Sequence, residues 1–189
     1  MSDVDAVPVI DLSKAPGAGE PWDRGIVTMA LWMLVEALLV TNSLQVSSGI
    51  RIRALRAFGA TIGSGVIIRP RVRVKFPWKL EIGDRSWIGE GVWFHNQNRI
   101  TVGSDVVISQ EAFVTTGSHR ARTDMGLITK PVVIEDGVWI TSRCVVLGGT
   151  HVGRSALARP TTVLKGDIAA NSVVSGPDCT VVGERFPTS

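Results

Sequence analysis

The sequence predicts an all-β solenoid, in which the chain turns a corner every six residues and stacks short strands into a triangular prism. Two observations lead to this fold class. An aliphatic or aromatic residue recurs at every sixth position through most of residues 60–168, and a small residue comes four positions after it. A six-residue period fits neither an α-helix nor a hairpin sheet, but it is typical of stacked solenoid repeats.

Each repeat position has an expected place in the prism. The larger residues should fill the interior, and the smaller ones should fit where the walls converge. Glycine often follows the larger residue and is expected to ease the turn. The larger residues are Ile62, Ile68, Val74, Ile82, Ile88, Phe94, Val102, Ile108, Val114, Ile134, Ile140, Val146, Val152, Ala158 and Leu164. The smaller ones are Val66, Val72, Ser86, Val92, Val106, Ala112, Val138, Cys144, Thr150, Ala156 and Thr162.

The spacing of coil starts predicts about five coils. Ile62, Ile82 and Val102 are 20 residues apart, and Ile134 and Val152 are 18 apart. Three hexapeptides make 18 residues, so each interval is one circuit of the prism, with a two-residue insertion in the first coils. The register breaks once, at residues 115–131. A loop expelled from a strict repeat is a candidate functional element.

The flanking segments lack the period. Residues 1–24 are polar, begin without a basic region and are expected to form a flexible arm rather than a signal peptide. Residues 25–59 are expected to be helical, residues 60–168 to form the β-helix, and residues 169–189 to cap its last coil.

The apolar part of the helical segment, Ile26–Val40, is too short to span a bilayer and contains Glu36. Two interpretations remain open for it: packing on the prism or a subunit contact, and insertion in a membrane interface. Eight basic residues without an acid follow between Arg51 and Lys79. Arg69, Arg71 and Arg73 alternate with apolar residues and are expected to point outward from one wall. They face either solvent and neighbouring subunits, or an anionic membrane or phosphate.

Composition narrows the function classes. A charge content of 20% and a hydrophobic content of 44% are those of a globular protein. The basic stripe lacks aromatics at stacking intervals, so nucleic acid is not an expected partner. Cys144 and Cys179 have no metal-ligand spacing. A γ-carbonic anhydrase would need three zinc-binding histidines, two of them five residues apart, and position 124 is Asp.

Of the three histidines, His119 has the position expected of a general base. It lies in Thr116–His119, at the start of the loop that breaks the repeat, with Gly117 beside it for close approach. His95 at a coil corner and His151 within the repeat have ordinary structural explanations.

The repeat and this loop resemble the hexapeptide-repeat acyltransferases, and especially the maltose, galactoside and colanic-acid or exopolysaccharide acetyltransferases. The supporting stretches are 102–110, 116–119, 131–140 and 173–177, and the likeness covers about residues 60–185. The resemblance implies a left-handed coil, acetyl-CoA as acyl donor without a metal, a homotrimer, and His119 as catalytic base. It leaves Glu111, Asp124 or a backbone carbonyl as the group that orients His119.

The resemblance also implies binding residues. Asn96 matches the first asparagine of an aromatic-x-Asn-x-Asn stretch that contacts the acceptor, and Trp93 is the neighbouring aromatic. Trp139 is implied to line the donor groove between subunits. The remaining positions implied for acetyl-CoA are Thr141, Ser142, Ala158 and Lys165. The lysine is displaced by one from the family pattern, so Arg159 or Arg185 could replace it as the phosphate contact.

We therefore expect a cytoplasmic, acetyl-CoA-dependent O-acetyltransferase of a sugar or glycan, either free in the cytoplasm or peripheral at the inner face of the membrane. An amino-sugar N-acetyltransferase, a serine-type acetyltransferase and a non-catalytic scaffold remain as alternatives.

Overall fold

A computed structural model describes residues 9–16, 23–177 and 180–184. Within these ranges the chain forms three parallel sheets, the walls of a triangular solenoid. Wall one contains β1 (Thr61–Ile62), β4 (Leu80–Ile82), β7 (Ile100–Val102), β12 (Val132–Ile134), β15 (His151–Val152) and β18 (Asp167–Ile168). Wall two contains β2 (Ile67–Ile68), β5 (Trp87–Ile88), β8 (Val107–Ile108), β13 (Trp139–Ile140), β16 (Leu157–Ala158) and β19 (Ser172–Ser175), with β20 (Thr180–Glu184) antiparallel to β19. Wall three contains β3 (Arg73–Val74), β6 (Trp93–His95), β9 (Phe113–Thr115), β14 (Val145–Val146) and β17 (Val163–Leu164).

The interior is the one that the repeat predicted. All the larger and smaller repeat residues named above are buried. They stack in columns because each strand pairs with its counterpart one coil away, as when Ile88 lies opposite both Ile68 and Ile108. Burying such columns on every side is what stabilises strands only two or three residues long. The free Cys144 belongs to this interior, and burial raises the pKa of its thiol.

The solenoid has five complete coils and an incomplete sixth. Ile168, Ser172 and Val174 repeat the large–small–large spacing and are buried, so the repeat extends beyond the expected end at residue 168. Strand β20 then covers the edge of the last coil on wall two, which is how a solenoid end avoids unpaired backbone groups.

Glycine after the larger residue serves close stacking rather than the turn itself. A Cβ on Gly83 would lie 2.6 Å from the carbonyl carbon of Gly103 in the next coil. The left-handed backbone that turns the corner comes two residues later, for example at Arg85 (φ 56°) and Asp105 (φ 58°). The expectation that these glycines ease the turn was therefore wrong, because coil-to-coil distance is what they satisfy.

The amino-terminal segment packs beside the first coils. It contains α1 (Ile26–Val35), a π-helical turn (Glu36–Val40) and α2 (Ser48–Ala57), and short 3-10 turns lie at Leu12–Lys14 and Pro77–Lys79. The Trp32 indole is buried and donates to the Val74 carbonyl at 2.9 Å. Arg51, 1% exposed, donates to backbone carbonyls of Val40, Gln45 and Ile68. This guanidinium ties both helices to the prism instead of facing solvent.

The other basic residues do not form one outward stripe. Arg71 has a positive φ of 60° at a corner, so the alternation of Arg69, Arg71 and Arg73 breaks there and the three straddle two walls. Arg71 pairs with Glu90 at 2.9 Å. Cys179 and Arg185 lie outside the described residues, as does most of the expected amino-terminal arm.

Candidate functional site

The break in the repeat is a β-hairpin that leaves the edge between walls three and one. After β9, strands β10 (Gly117–His119) and β11 (Leu127–Thr129) pair antiparallel, and the chain rejoins wall one at β12. The Lys130 N–H donates to the Thr116 carbonyl at 2.9 Å and closes the base of the hairpin. Gly117 packs against the Gln97 side chain, which a Cβ at this position would overlap. We call this edge the hairpin corner.

His119 is held by the hairpin turn. Its Nδ1 lies 2.8 Å from the Met125 carbonyl oxygen. A carbonyl can only accept, so Nδ1 carries the proton and the neutral ring keeps its lone pair on Nε2. The side chain is exposed at the end of β10. The hairpin therefore presents an oriented imidazole whose accepting nitrogen is free of the backbone contact.

Neither candidate acid orients His119. Asp124 pairs with the Arg120 guanidinium at 2.7 and 2.8 Å and accepts from the Gly126 N–H, and together these bonds hold the pKa of Asp124 far below its usual range. Glu111 pairs with Arg143 at 2.8 Å. Of the three candidates that the sequence left open, the group that contacts His119 is a backbone carbonyl, that of Met125.

Asn96, which the family pattern implied as an acceptor contact, does not lie at the surface of the prism. Its side chain is fully buried, and its amide donates to the Phe76 carbonyl at 2.6 Å while its carbonyl accepts from the Phe76 N–H at 2.9 Å. Both polar groups are consumed in joining the first two coils at the hairpin corner. Asn96 is a structural residue.

Trp93 lies on the outer face of wall three, beside an open cavity. Its ring packs on Phe113 (centroids 4.9 Å apart), and the Arg73 guanidinium carbon lies 3.9 Å from the Trp93 ring centroid. The cavity has a volume of about 350 Å³ and lies between this wall and α1. Its lining residues are Met29, Trp32, Met33, Glu36, Arg73, Lys75, Phe76, Trp93 and His95.

The cavity contains polar groups as well as aromatic rings. The Glu36 carboxylate accepts from the Val74 N–H at 2.7 Å, and burial raises the pKa of Glu36. His95 lies opposite Thr115 in the next coil, with Nδ1 3.2 Å from Oγ1 of that threonine. Thr115 ends β9, the strand of wall three that leads into the hairpin with His119. The cavity and the hairpin therefore belong to the same wall. Aromatic faces with hydrogen-bonding groups at their rim are suited to a sugar ring.

A second group of predicted residues lies at the edge between walls two and three, which we call the smooth corner. Trp139 is 41% exposed on wall two, and its indole donates to the Ser109 hydroxyl at 3.0 Å. The Ser142 hydroxyl donates to the Gln110 side-chain carbonyl at 3.1 Å. Arg159, one coil further on, is exposed and forms no ion pair with any residue that the structure describes.

Sequence reasoning missed the lower half of this surface. A small cavity of about 150 Å³ continues down the smooth corner, between Arg69, Trp87, Ser109 and Gln110. Trp87 stands in the same column of wall two as Trp139, with Val107 between them in register. The repeat could have predicted this position of Trp87. Trp87 comes 20 residues before Val107, and one circuit of the prism is 20 residues in these coils.

Three of the predicted donor residues are not at the surface of this corner. Thr141 is buried, and both its hydroxyl and its N–H donate to the Ala158 carbonyl, at 2.5 and 3.2 Å. Ala158 points into the core and is 2% exposed, so its side chain cannot line a groove. Ala158 is one of the larger repeat residues that predicted the core, and Thr141 holds the position after Ile140, where other repeats often have glycine. Lys165 is exposed but follows β17, which puts it at the hairpin corner.

The two corners are separated within one chain. Residues 143–148 cross wall three between them, and six residues of extended chain span about 20 Å. His119 and the Trp139 surface therefore belong to different edges of the prism. Across the described ranges, no group of three or more His, Cys, Asp or Glu side chains is arranged to hold a metal ion.

Comparisons with known proteins agree with this architecture. The chain is 34% identical over 163 residues to the Escherichia coli (strain K12) protein named "Putative colanic acid biosynthesis acetyltransferase WcaF", covering 86% of this chain and 90% of that one. It is 25% identical over 129 residues to the galactoside O-acetyltransferase of the same strain, covering 66% and 64%. No protein-family model matches the chain.

A solved structure reproduces the fold. The hexapeptide-repeat-containing acetyltransferase of Vibrio cholerae O1 biovar eltor, complexed with acetyl-CoA, superposes with a TM-score of 0.78 at 22% identity, over 85% of this chain and 88% of that one. These neighbours are left-handed parallel β-helices, which confirms the expected fold class. With a relative at 34% identity along nearly its whole length, the chain belongs to the hexapeptide-repeat acetyltransferases, the family of the colanic acid biosynthesis protein WcaF.

Proposed function

We propose that this protein is an acetyl-CoA-dependent O-acetyltransferase that acetylates a hydroxyl group of a sugar or glycan, with His119 as the general base. The observation that carries the proposal is the bond from His119 Nδ1 to the Met125 carbonyl. It leaves Nε2 as the proton acceptor on an exposed hairpin, which follows a strand of the wall that also borders the aromatic and polar cavity.

The chemistry follows from that nitrogen. Nε2 takes the hydroxyl proton as the acceptor oxygen attacks the thioester carbonyl carbon, and the bond to Met125 stabilises the imidazolium that forms. The tetrahedral intermediate then expels the thiolate of CoA, which takes the proton back from Nε2. The products are the acetyl ester and the free thiol, and His119 regains its starting form. General-base catalysis of this kind contributes about 10²–10⁴-fold.

The donor would bind along the smooth corner. Trp139 and Trp87 offer apolar faces to pantetheine, and Arg159 and Arg69 offer charge to phosphates at the two ends of the surface. The N–H groups of Thr141 and Gly117 are already bonded within the fold. The Ser142 N–H, which makes no hydrogen bond among the described residues, is the best candidate to receive oxyanion charge.

Assembly into a homotrimer would complete the site. Because the two corners of one chain lie about 20 Å apart along wall three, a donor at the smooth corner needs the hairpin of a neighbouring chain. A head-to-tail contact repeated three times closes a ring and brings unlike corners together. In that arrangement Lys165, at the hairpin corner, would approach a donor held by the neighbour.

The cavity beside Trp93 is the proposed acceptor site in place of Asn96. Exopolysaccharide precursors are the acceptor class we favour, because the colanic acid protein is the more similar of the two relatives. If the precursor is lipid-linked, the enzyme works at the inner face of a membrane.

A direct test is to follow thiol release from acetyl-CoA against a panel of sugars, nucleotide sugars, amino sugars and lipid-linked glycans. The product ester is identified by mass. We expect a hydroxyl-bearing saccharide to be acetylated, and His119→Ala to lower kcat about 10³-fold while leaving acetyl-CoA binding intact. His151→Ala is the matched control, since that ring pairs with Glu135 on wall one at 2.8 Å. Loss of activity in the control alone, or acetylation of amino groups only, would contradict the proposal.

A further inference from the structure

The amino-terminal helical segment exposes an apolar face with no partner among the described residues. Every exposed side chain from Ile26 to Val40 is apolar. The exposed fractions reach 80% at Ile26, 77% at Val27, 63% at Met33, 56% at Leu34 and 55% at Leu38. A contiguous apolar surface of this kind marks an interaction site.

The same segment already has its core contacts on the opposite side. Met29, Trp32 and Val40 are buried, and the Trp32 ring packs on Phe58 with centroids 5.2 Å apart. The charged residue of the segment, Glu36, faces the prism and bonds to the Val74 N–H. The outward face is therefore not needed to hold the helix on the prism.

Cations flank this face on both sides. Arg24 and Arg56 line a cleft with Thr28 and Leu31 on one side of α1. Arg73 and Lys75 line the cavity with Met29 and Met33 on the other. We call these four residues the basic rim. The apolar residues come from the helix and the charges from the elements beside it.

We propose that this apolar face and its basic rim dock on the surface of an anionic lipid leaflet, with the axis of α1 in the plane of the interface. Apolar side chains enter the acyl boundary while Lys and Arg meet the headgroups, which is how interfacial helices bind. No helix among the described residues is long and apolar enough to cross a bilayer.

The charge pattern favours lipid over a symmetric contact with a second copy. A two-fold contact places the same patch on both partners, so it would bring one basic rim against another. Like charges at such short range oppose association. An anionic leaflet complements the rim instead. This inference stands independently of the proposed activity.

The test is sedimentation of the full chain with vesicles of phosphatidylcholine alone or with phosphatidylglycerol. We expect binding to the anionic vesicles that weakens as salt is raised. Leu34→Glu combined with Leu38→Glu should lower the partition coefficient more than tenfold, and Arg24→Gln about fivefold. Val181→Glu, at an exposed apolar position of β20, is the control and should bind normally.

Thermal unfolding and light scattering complete the design. The double leucine variant should keep its melting temperature, since both side chains are exposed. Absence of binding to anionic vesicles at low salt would overturn the proposal, as would binding that the double variant does not reduce. A lower assembly mass for the double variant would also overturn it, because the face would then be a contact between copies.

Discussion

The smooth corner obeys the six-residue repeat in every coil, whereas the hairpin corner takes two extra residues in each of the first two coils and a β-hairpin in the third. At the smooth corner, the same left-handed turn recurs in all five coils, at Arg71, Gly91, Glu111, Arg143 and Thr161, with φ between 59° and 72°. At the hairpin corner, the third coil instead extends a β-hairpin that carries His119. The repeat supplies a fixed surface, and the interruption supplies a side chain that the repeat cannot place.

The difference also concerns what each corner can do alone. The smooth corner has aromatic and basic groups but no histidine among its described residues, and the hairpin corner has the oriented imidazole. If the site forms between chains, each corner of one subunit serves a different neighbour.

The largest expected effect comes from inactivating the two corners in separate variants and then mixing the variants. His119→Ala removes the base, and Trp139→Ala with Arg159→Gln disables the smooth corner. Each protein alone should be nearly inactive. Co-refolded in equal amounts, they should recover about a quarter of the wild-type activity, because half of the hairpins and half of the smooth corners remain intact and pair at random. Recovery is measured as acetyl transfer per trimer, and no recovery would place both corners' functions within one chain.

Next in size is a stability effect at the hairpin corner. Asn96→Leu leaves the Phe76 N–H and carbonyl buried without partners. We expect the free energy of unfolding to fall by about 3 kcal/mol, which lowers the melting temperature by roughly 10 °C. The KM for the acceptor should not change in the protein that stays folded. A raised KM for the acceptor at unchanged stability would show that Asn96 binds the acceptor after all.

The outcome for Asn96 shows how much the repeat could predict. Phe94 is inward, so alternation along a strand makes His95 outward and Asn96 inward. The sequence contained that answer, but the family pattern pointed to a contact instead. The same holds for the sixth turn, where Ile168, Ser172 and Val174 keep the spacing.

Other features could not be derived from the period. The six-residue period specifies which residues point inward. It does not specify how far an outward residue lies from a loop that leaves another corner of the prism. The bond from His119 to Met125 depends on a turn closed by Arg120, Asp124 and Gly126, none of which belongs to the repeat. The sequence predicted an apolar helix, but it could not predict which face of that helix is exposed, because this face is set by the packing of Trp32 on the prism.

A smaller effect is expected at the smooth corner. Arg159→Gln should raise the KM for acetyl-CoA about tenfold through the loss of one charge-assisted contact to phosphate, with kcat unchanged. Arg154→Gln is the matched control, because Arg154 pairs with Asp136 at 2.9 Å away from this corner. Equal KM values for the two variants would remove Arg159 from the donor surface.

The smallest effect tests whether the hairpin turn positions the base. Asp124→Asn weakens the pair with Arg120 beside Met125, and we expect kcat to fall by up to about fivefold with an unchanged acetyl-CoA KM. Glu111→Gln removes the equivalent pair with Arg143 at the smooth corner and should leave kcat within twofold. The folded-state pKa of Asp124 lies below its unfolded value, so its contribution is complete above about pH 4 and is lost only as the pH falls through that lower value. The ratio of wild-type to Asp124→Asn activity should therefore be constant between pH 5 and pH 8. A ratio that changes across this range would mean that Asp124 titrates with the catalytic group, and that the acid, rather than the Met125 carbonyl, controls His119.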